Sequence, residues 1–175
     1  HNMDTRGPMP SAKRIDSLPS GDLFRLAIEP IRDRISINET PDVYLEGLSK
    51  VTEGQSLLYA ANWCQIEVCN GGFKQFFMNS TGIVGPEAVR GFNMIGVLGA
   101  AEVVSQSMSK LGKEYPRNRT ARNNAVWEIK GLKPEAEDWD PFEIFDKQFY
   151  KFTGTGEFDN QADTFVKANL SLFFM

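Results

Sequence analysis

The chain has 175 residues, of which 41% are hydrophobic and 24% are charged, an ordinary balance for a globular domain. No apolar run approaches the roughly 20 residues that a membrane-spanning helix needs, so we expect no membrane association. The formal net charge is −4 but is unevenly distributed, because residues 83–134 hold 8 Lys and Arg against 4 Asp and Glu, whereas residues 135–175 hold 3 against 9.

The N-terminal residues are rich in turn formers and poor in apolar side chains. This composition predicts a flexible tail over residues 1–19, in which residues 1–3 are interpreted as an expression remnant. Residues 20–175 are predicted to form one helical domain. The start of the chain lacks a secretory signal, and the spacing of Cys64 and Cys69 places them on different faces of a helix, so both features favour a reducing cytoplasm.

Two helices are predicted before the centre of the chain. The first begins after Ser20, a capping residue, and runs through Ile35 with an interruption at Pro30. The second begins near Pro41, because proline is favoured in the first turn of a helix.

The next predicted helix begins at Glu53 and has apolar residues at helical spacing. These are Leu57, Leu58, Ala61, Cys64 and Val68. The run Asn70-Gly71-Gly72 then interrupts the pattern, since such residues suit the left-handed conformation that ends a helix. The sequence therefore predicts a hinge in which one of the two glycines has a positive φ.

Three phenylalanines, Phe73, Phe76 and Phe77, resume helical spacing directly after the hinge. Burial of one large apolar side chain contributes roughly 1.5–3 kcal/mol, so we expect this short helix to anchor the core. The backbone N–H groups after the two glycines also suit an anion-binding concavity. A structural hinge is the interpretation that we favour.

Three further start signals follow in the second half of the chain. Pro86 opens a helix that we expect to continue towards Gly112, Asp140-Pro141 opens another, and Asp159 caps the last. No stretch alternates as a strand does, and no repeat of fixed period is visible. The sequence predicts an all-α fold, a single compact domain of about six or seven helices.

Residue types that usually carry catalysis are scarce. The only histidine is His1, which excludes Ser-His and Cys-His dyads elsewhere in the chain. Two cysteines alone cannot close a zinc site, and no phosphate-binding loop of the GxxxxGK[ST] type is present. We therefore expect a protein that is not an enzyme and that has no catalytic residue, no metal and no cofactor.

Six carboxylates crowd the segment around the helix predicted from Asp140. They are Glu135, Glu137, Asp138, Asp140, Glu143 and Asp146. One interpretation is an ordinary solvated surface. The other is a partner-binding face that imitates duplex DNA, which carries one negative charge per about 1.7 Å of its axis.

Residues 110–133 favour a different function, because seven cations are concentrated there. They are Lys110, Lys113, Arg117, Arg119, Arg122, Lys130 and Lys133. Such a segment is typical of nucleic-acid or anion binding, although the acidic pI of about 5.1 opposes attraction to nucleic acid. A solvated helix face, an interaction module of another kind, or a homodimer in which this segment pairs with the acidic C-terminal third of a second copy are further interpretations.

Residues 67–82 read EVCNGGFKQFFMNSTG and resemble the signature of a bacterial family whose named member is a DNA-mimic protein. The matching residues are Glu67, Val68, Asn70, Gly71, Gly72, Phe73, Gln75, Phe76, Phe77, Asn79 and Gly82. The resemblance covers roughly Glu53 to the C-terminus. It implies a small acidic protein that binds a DNA-binding transcription regulator and does not itself bind nucleic acid. It supplies no site residue, and we expect the signature positions to be mainly structural.

Overall fold

Helices dominate residues 4–129 and 140–175, the part of the chain that the computed structural model describes. The α-helices of that part are α1 Ala12–Ser17, α2 Asp22–Ile28, α3 Pro41–Ser49, α4 Glu53–Met78, α5 Gly85–Met94, α6 Leu98–Ser109, α7 Arg119–Trp127, α8 Glu143–Thr153 and α9 Glu157–Ala168. The described residues contain no strand, only an isolated bridge between Gly7 and Phe174. The predicted all-α fold is confirmed.

The nine α-helices of the described residues exceed the six or seven predicted for two reasons. The helix predicted from Pro86 towards Gly112 is two helices, α5 and α6, because Gly96 has a φ of 85° and turns the backbone between them. The N–H of Val97 then bonds back to the carbonyl of Phe92 at 2.9 Å, which closes the turn. The other reason is α1, which lies in the segment predicted to be a flexible tail and is capped by Ser11, whose Oγ accepts a 3.1 Å hydrogen bond from the N–H of Arg14.

The flexible tail predicted for residues 1–19 is wrong for residues 4–19. The N–H of Met175 donates a 2.9 Å hydrogen bond to the carbonyl of Gly7, and the N–H of Met9 donates another of 2.9 Å to the carbonyl of Met175. Thr5 is buried, and its hydroxyl donates to the side chain of Gln55 at 2.6 Å. The terminal segments therefore hold each other against the start of α4, which is a long-range pairing that composition does not report.

The core forms around α4, which packs against α2, α5, α7 and α8. Its first half buries the five apolar residues predicted from their spacing, and Phe73, Phe76 and Phe77 in its second half are fully buried. The Phe73 ring lies 5.3 Å from that of Phe149 in α8, and the Phe77 ring lies 5.0 Å from that of Phe142. The prediction that the three phenylalanines anchor the core is confirmed.

The predicted hinge lies at Gly72, where φ is 80° and ψ is 175°, while the residues on both sides are helical. The axis of α4 therefore changes direction at this point. None of the described helices combines the length and apolar character that a membrane crossing needs.

Candidate functional site

The predicted acidic face falls only partly within the described residues. Glu135, Glu137 and Asp138 lie outside them. Asp140 is half-buried, and its Oδ1 accepts a 2.8 Å hydrogen bond from the N–H of Phe142. A carboxylate that bonds the backbone two residues later forms a local turn, so Asp140 helps to start α8 as well as adding charge.

Glu143 is the clearest surface carboxylate among the described members of the predicted face. Its side chain is 69% exposed and lies 3.5 Å from Lys147, one turn later in α8. Exposed pairs of this kind contribute only about 0.2–1 kcal/mol. The charge of Glu143 is therefore accessible to a partner.

Asp146 does not belong to an exposed acidic face, and its assignment to that face is wrong. The residue is only 9% exposed, and its Oδ1 accepts a 2.8 Å hydrogen bond from the N–H of Phe73. That N–H begins the second half of α4, so Asp146 caps a helix from a distant position in the chain. Burial raises the pKa of Asp146 to about 6, with the Phe73 N–H opposing the shift and the charges of Asp140 and Glu143 adding to it.

The α8 residues that follow Asp146 by four and seven positions also contact α4 near the hinge. The hydroxyl of Tyr150 donates to the carbonyl of Val68 at 3.1 Å, and the hydroxyl of Thr153 lies 3.8 Å from the sulfur of Cys69. Positions i, i+4 and i+7 share one face of a helix. One face of α8 therefore holds the α4 hinge through polar contacts.

The anion-binding concavity suggested by the two glycines is already occupied by the protein itself. A side chain at Gly72 would place its Cβ 2.5 Å from Oδ2 of Asp146. The carboxylate therefore fills the space that an external anion would need, and the Phe73 N–H that would bind it is already bonded. The glycine serves the close approach of α8 as well as the positive φ.

Other signature residues also contact one another. The side-chain amide of Asn79, at the end of α4, donates to Glu67 at 2.5 Å. A Cβ at Gly71 would meet the side-chain amide of Gln75, which lies beside this exposed glycine. Asn70 is exposed on the outside of the hinge.

Arg122, in the predicted nucleic-acid-binding segment, is fully buried. Its Nε donates to the carbonyl of Phe77 at 2.6 Å and its Nη2 to that of Asn79 at 2.7 Å. Its Nη1 donates to the carbonyls of Arg117 at 2.7 Å and Pro116 at 3.2 Å. Burial lowers the pKa of Arg122 from its ordinary value. The guanidinium thus caps the C-terminal end of α4, where the helix dipole favours positive charge.

Gly82 makes room for this guanidinium. A Cβ there would collide with Nε of Arg122 and would lie 2.7 Å from the carbonyl of Phe76. The Gly82 carbonyl itself accepts a 2.6 Å hydrogen bond from the hydroxyl of Tyr115. The last glycine of the signature is therefore explained by close packing around the end of α4.

Arg117 and Arg119 also bind within the protein. Both Nη atoms of Arg117 lie 2.7 Å from the carboxylate of Glu87, which is 7% exposed and accepts a further 2.7 Å bond from the hydroxyl of Tyr44. Burial raises the pKa of Tyr44, and the negative charge of Glu87 adds to the increase. Arg119 donates to the carbonyl of Met78 at 3.0 Å. These contacts join α3, α5 and the end of α4.

The prediction of a basic interface over residues 110–133 is therefore wrong for Arg122, which is buried, and for Arg117, which pairs with the buried Glu87. Arg119 is exposed, with its Nε bonded to the Met78 carbonyl. Lys110 and Lys113 are exposed, and Lys130 and Lys133 lie outside the described residues. The number of cations in the sequence does not show which of them face inward.

No cluster of three His, Cys, Asp or Glu side chains among the described residues can hold a metal ion. A surface cleft of about 740 Å³ opens beside the start of α4. Its Arg6 is bonded to Asp4 and to the carbonyl of Ser171, and its Glu53 pairs with Arg90, so these groups are already satisfied within the protein.

A sequence model of the DMP19-like protein family matches residues 49–169, more than half of the chain. The chain belongs to the DMP19-like protein family. Searches among curated proteins and among solved structures found no match. The matched range contains the hinge in α4 and all of α8, and it includes Asp146 and Arg122, which cap the two ends of the segment of α4 after the hinge. Helices α1, α2 and nearly all of α3 lie before it.

The hinge of this DMP19-like chain should tolerate a side chain at Gly71 but not at Gly72. Gly72→Ala forces an L residue into a positive φ and against Asp146, so it should lower the free energy of unfolding by about 1–3 kcal/mol. Gly71→Ala is the matched control, because the end of the flexible Gln75 side chain can move aside. Urea denaturation of both variants measures the difference, and equal losses would contradict the hinge geometry.

Arg122→Met should destabilise the protein by about 3–5 kcal/mol, because it leaves buried carbonyls without their donors. Lys113→Met removes the same charge from an exposed position and should change stability by about 0.5 kcal/mol or less. Urea denaturation compares the two. A small effect of Arg122→Met would mean that the guanidinium does not cap α4.

Asp146 should make stability depend on pH in a defined direction. Its pKa is higher in the folded state than its ordinary value of 3.8, so the folded state binds the proton more readily between about pH 4 and pH 6. Native stability should therefore rise relative to Asp146→Asn as the pH falls from 7 to 4. Urea denaturation at several pH values tests this, and a constant difference between the two proteins would contradict it.

Proposed function

We propose that the chain is a non-catalytic binding protein that presents an acidic surface to the DNA-binding surface of a transcription regulator. The observation that carries the proposal is membership of the DMP19-like family, together with the resemblance of residues 67–82 to the signature of DNA-mimic proteins. A bacterial regulator as partner places this activity in the cytoplasm.

The physical basis of the proposal is competition for a basic surface. A DNA-binding protein neutralises phosphates with Lys and Arg, and this sequence-independent attraction supplies much of its affinity. Carboxylates on a folded scaffold can occupy the same cations. Residues 135–175 hold 3 Lys and Arg against 9 Asp and Glu, which makes this third of the chain the most negative part of the sequence.

The composition of the acidic face changes once the structure is considered. Asp146 is bonded to the Phe73 N–H at the α4 hinge and is removed from the proposed contact residues. Glu143 remains as an exposed contact, with Asp140 at its edge. We retain Glu135, Glu137 and Asp138 on the strength of the sequence.

The alternative function, nucleic-acid binding through residues 110–133, has less support. Arg122 is fully buried and Arg117 is paired with Glu87, which leaves Arg119 as the exposed arginine of the segment, with its Nε bonded to a backbone carbonyl. Contacts to phosphates require exposed and unpaired cations. A homodimer remains a separate proposal, to be tested by measuring the mass in solution.

The decisive experiment immobilises the chain and applies the heparin-binding fraction of a bacterial lysate. The proposal predicts retention of a DNA-binding protein that duplex DNA displaces. It also predicts that labelled duplex DNA alone does not bind the chain, because like charges repel. Binding should weaken as salt rises, since exposed charges are screened beyond about 8 Å at physiological ionic strength.

Two sets of variants locate the surface. Neutralising Glu135, Glu137, Asp138 and Glu143 as amides should reduce the association rate with the retained protein. The control set changes the net charge equally at exposed acids elsewhere, namely Asp16, Glu102, Glu114 and Glu157. Direct binding of duplex DNA that is lost when Lys110 and Lys113 are neutralised would overturn the proposal and favour the alternative.

A further inference from the structure

Helix α3 is exposed over most of its surface. Tyr44 and Gly47 are its only buried residues. Tyr44 is anchored through its hydroxyl to Glu87, and Gly47 lies so close to the backbone of Arg34 that a Cβ would approach its carbonyl to 2.9 Å. The helix is thus fixed firmly along one side, while the opposite side faces solvent.

The exposed side of α3 combines two kinds of side chain. Asp42 and Glu46 are one turn apart and occupy the middle of this side, directly opposite Tyr44. Val43 and Leu45 lie on the two flanks and are 48% and 43% exposed. These two exposed aliphatic residues lie away from the side of α3 that is attached to the core through Tyr44, Gly47 and the partly buried Leu48.

The negative charge of this side is only partly compensated. Glu46 and Lys50, which are one helical turn apart, form an exposed ion pair of 3.4 Å. No described residue forms an ion pair with Asp42, or with Glu39 just before the helix. The face is therefore acidic at its centre and apolar at its flanks.

We infer that this face of α3, formed by Asp42, Val43, Leu45 and Glu46, is a second docking surface for the same basic DNA-binding partner. The inference rests on the proposed function and extends it to a part of the chain that precedes the family match, which begins at residue 49. It adds apolar contacts to a recognition that carboxylates alone would make purely electrostatic.

Charge complementarity identifies the occupant. The DNA-facing surface of a regulator carries Lys and Arg with long aliphatic stems, so its cations match Asp42 and Glu46 while the stems pack on Val43 and Leu45. An anionic membrane surface would be repelled by the same carboxylates. A second copy of this acidic chain would meet like charge.

The first test uses a defined probe, a short synthetic amphipathic helix of lysine and leucine. Titration into the full chain should shift the backbone amide resonances of residues 39–50 more than any others. Asp42→Asn with Glu46→Gln should weaken binding about tenfold, since two exposed charge pairs are lost. Largest shifts at residues 140–146, or no response to these substitutions, would overturn the inference.

Matched variants separate the apolar flanks from general stickiness. Val43→Ser with Leu45→Ser should also weaken peptide binding, whereas Leu98→Ser, at a residue 63% exposed on α6, should not. Tyr44 and Gly47 are unchanged, so the thermal midpoint should stay close to that of the native protein. If the serine variant instead changes the mass in solution, the face is a contact between copies and the inference fails.

The same variants distinguish this inference from the proposed function. The DNA-binding protein displaced from the immobilised chain by duplex DNA is purified and its affinity for each variant is measured. If the native chain binds it and the Asp42 and Glu46 variant binds equally well, the inference fails and the proposed function stands. If the native chain retains no such protein, the proposed function itself fails, and the inference with it.

Discussion

The hydrogen bond between the carboxylate of Asp146 and the N–H of Phe73 is the interaction on which the rest of the structure depends. Gly72 breaks α4, and a broken helix exposes a new positive end with N–H groups that need acceptors. Asp146 supplies the acceptor from α8. The contact therefore fixes the direction of the second half of α4 and the position of α8 together, and both elements then enclose the phenylalanine core.

The C-terminal end of the same short helical segment is capped by a positively charged side chain. Arg122 donates to the carbonyls of Phe77 and Asn79, where the helix dipole is negative. A buried acid at one end and a buried base at the other thus bracket residues 73–78, and both come from later in the chain. Their charges are matched to the backbone rather than to each other, which explains why neither has an ion-pair partner among the described residues.

The sequence predicted what depends on local pattern. Helical spacing located α4 and its buried phenylalanines, and the glycine pair located a positive φ that the structure assigns to Gly72. The local pattern could not distinguish exposed charges from buried ones. Asp146 is buried by its contact with Phe73, which is 73 positions away in the chain, and Arg122 by its contact with Phe77, which is 45 positions away. Counting cations over 110–133 therefore suggested an interface where Arg117 and Arg122 are structural. The packing of the N-terminal segment was not predicted for the same reason, since Gly7 and Met9 bond to residues 173–175 at the far end of the chain.

Hydrogen exchange at the single backbone amide of Phe73 tests this account most directly. The account predicts that this N–H, although it begins a helical segment, exchanges as slowly as amides in the middle of α4, and that Asp146→Ala accelerates it far more than Glu143→Ala does. Rapid exchange in the native protein, as expected of an uncapped first turn, would contradict the claim that the Asp146 carboxylate organises the fold.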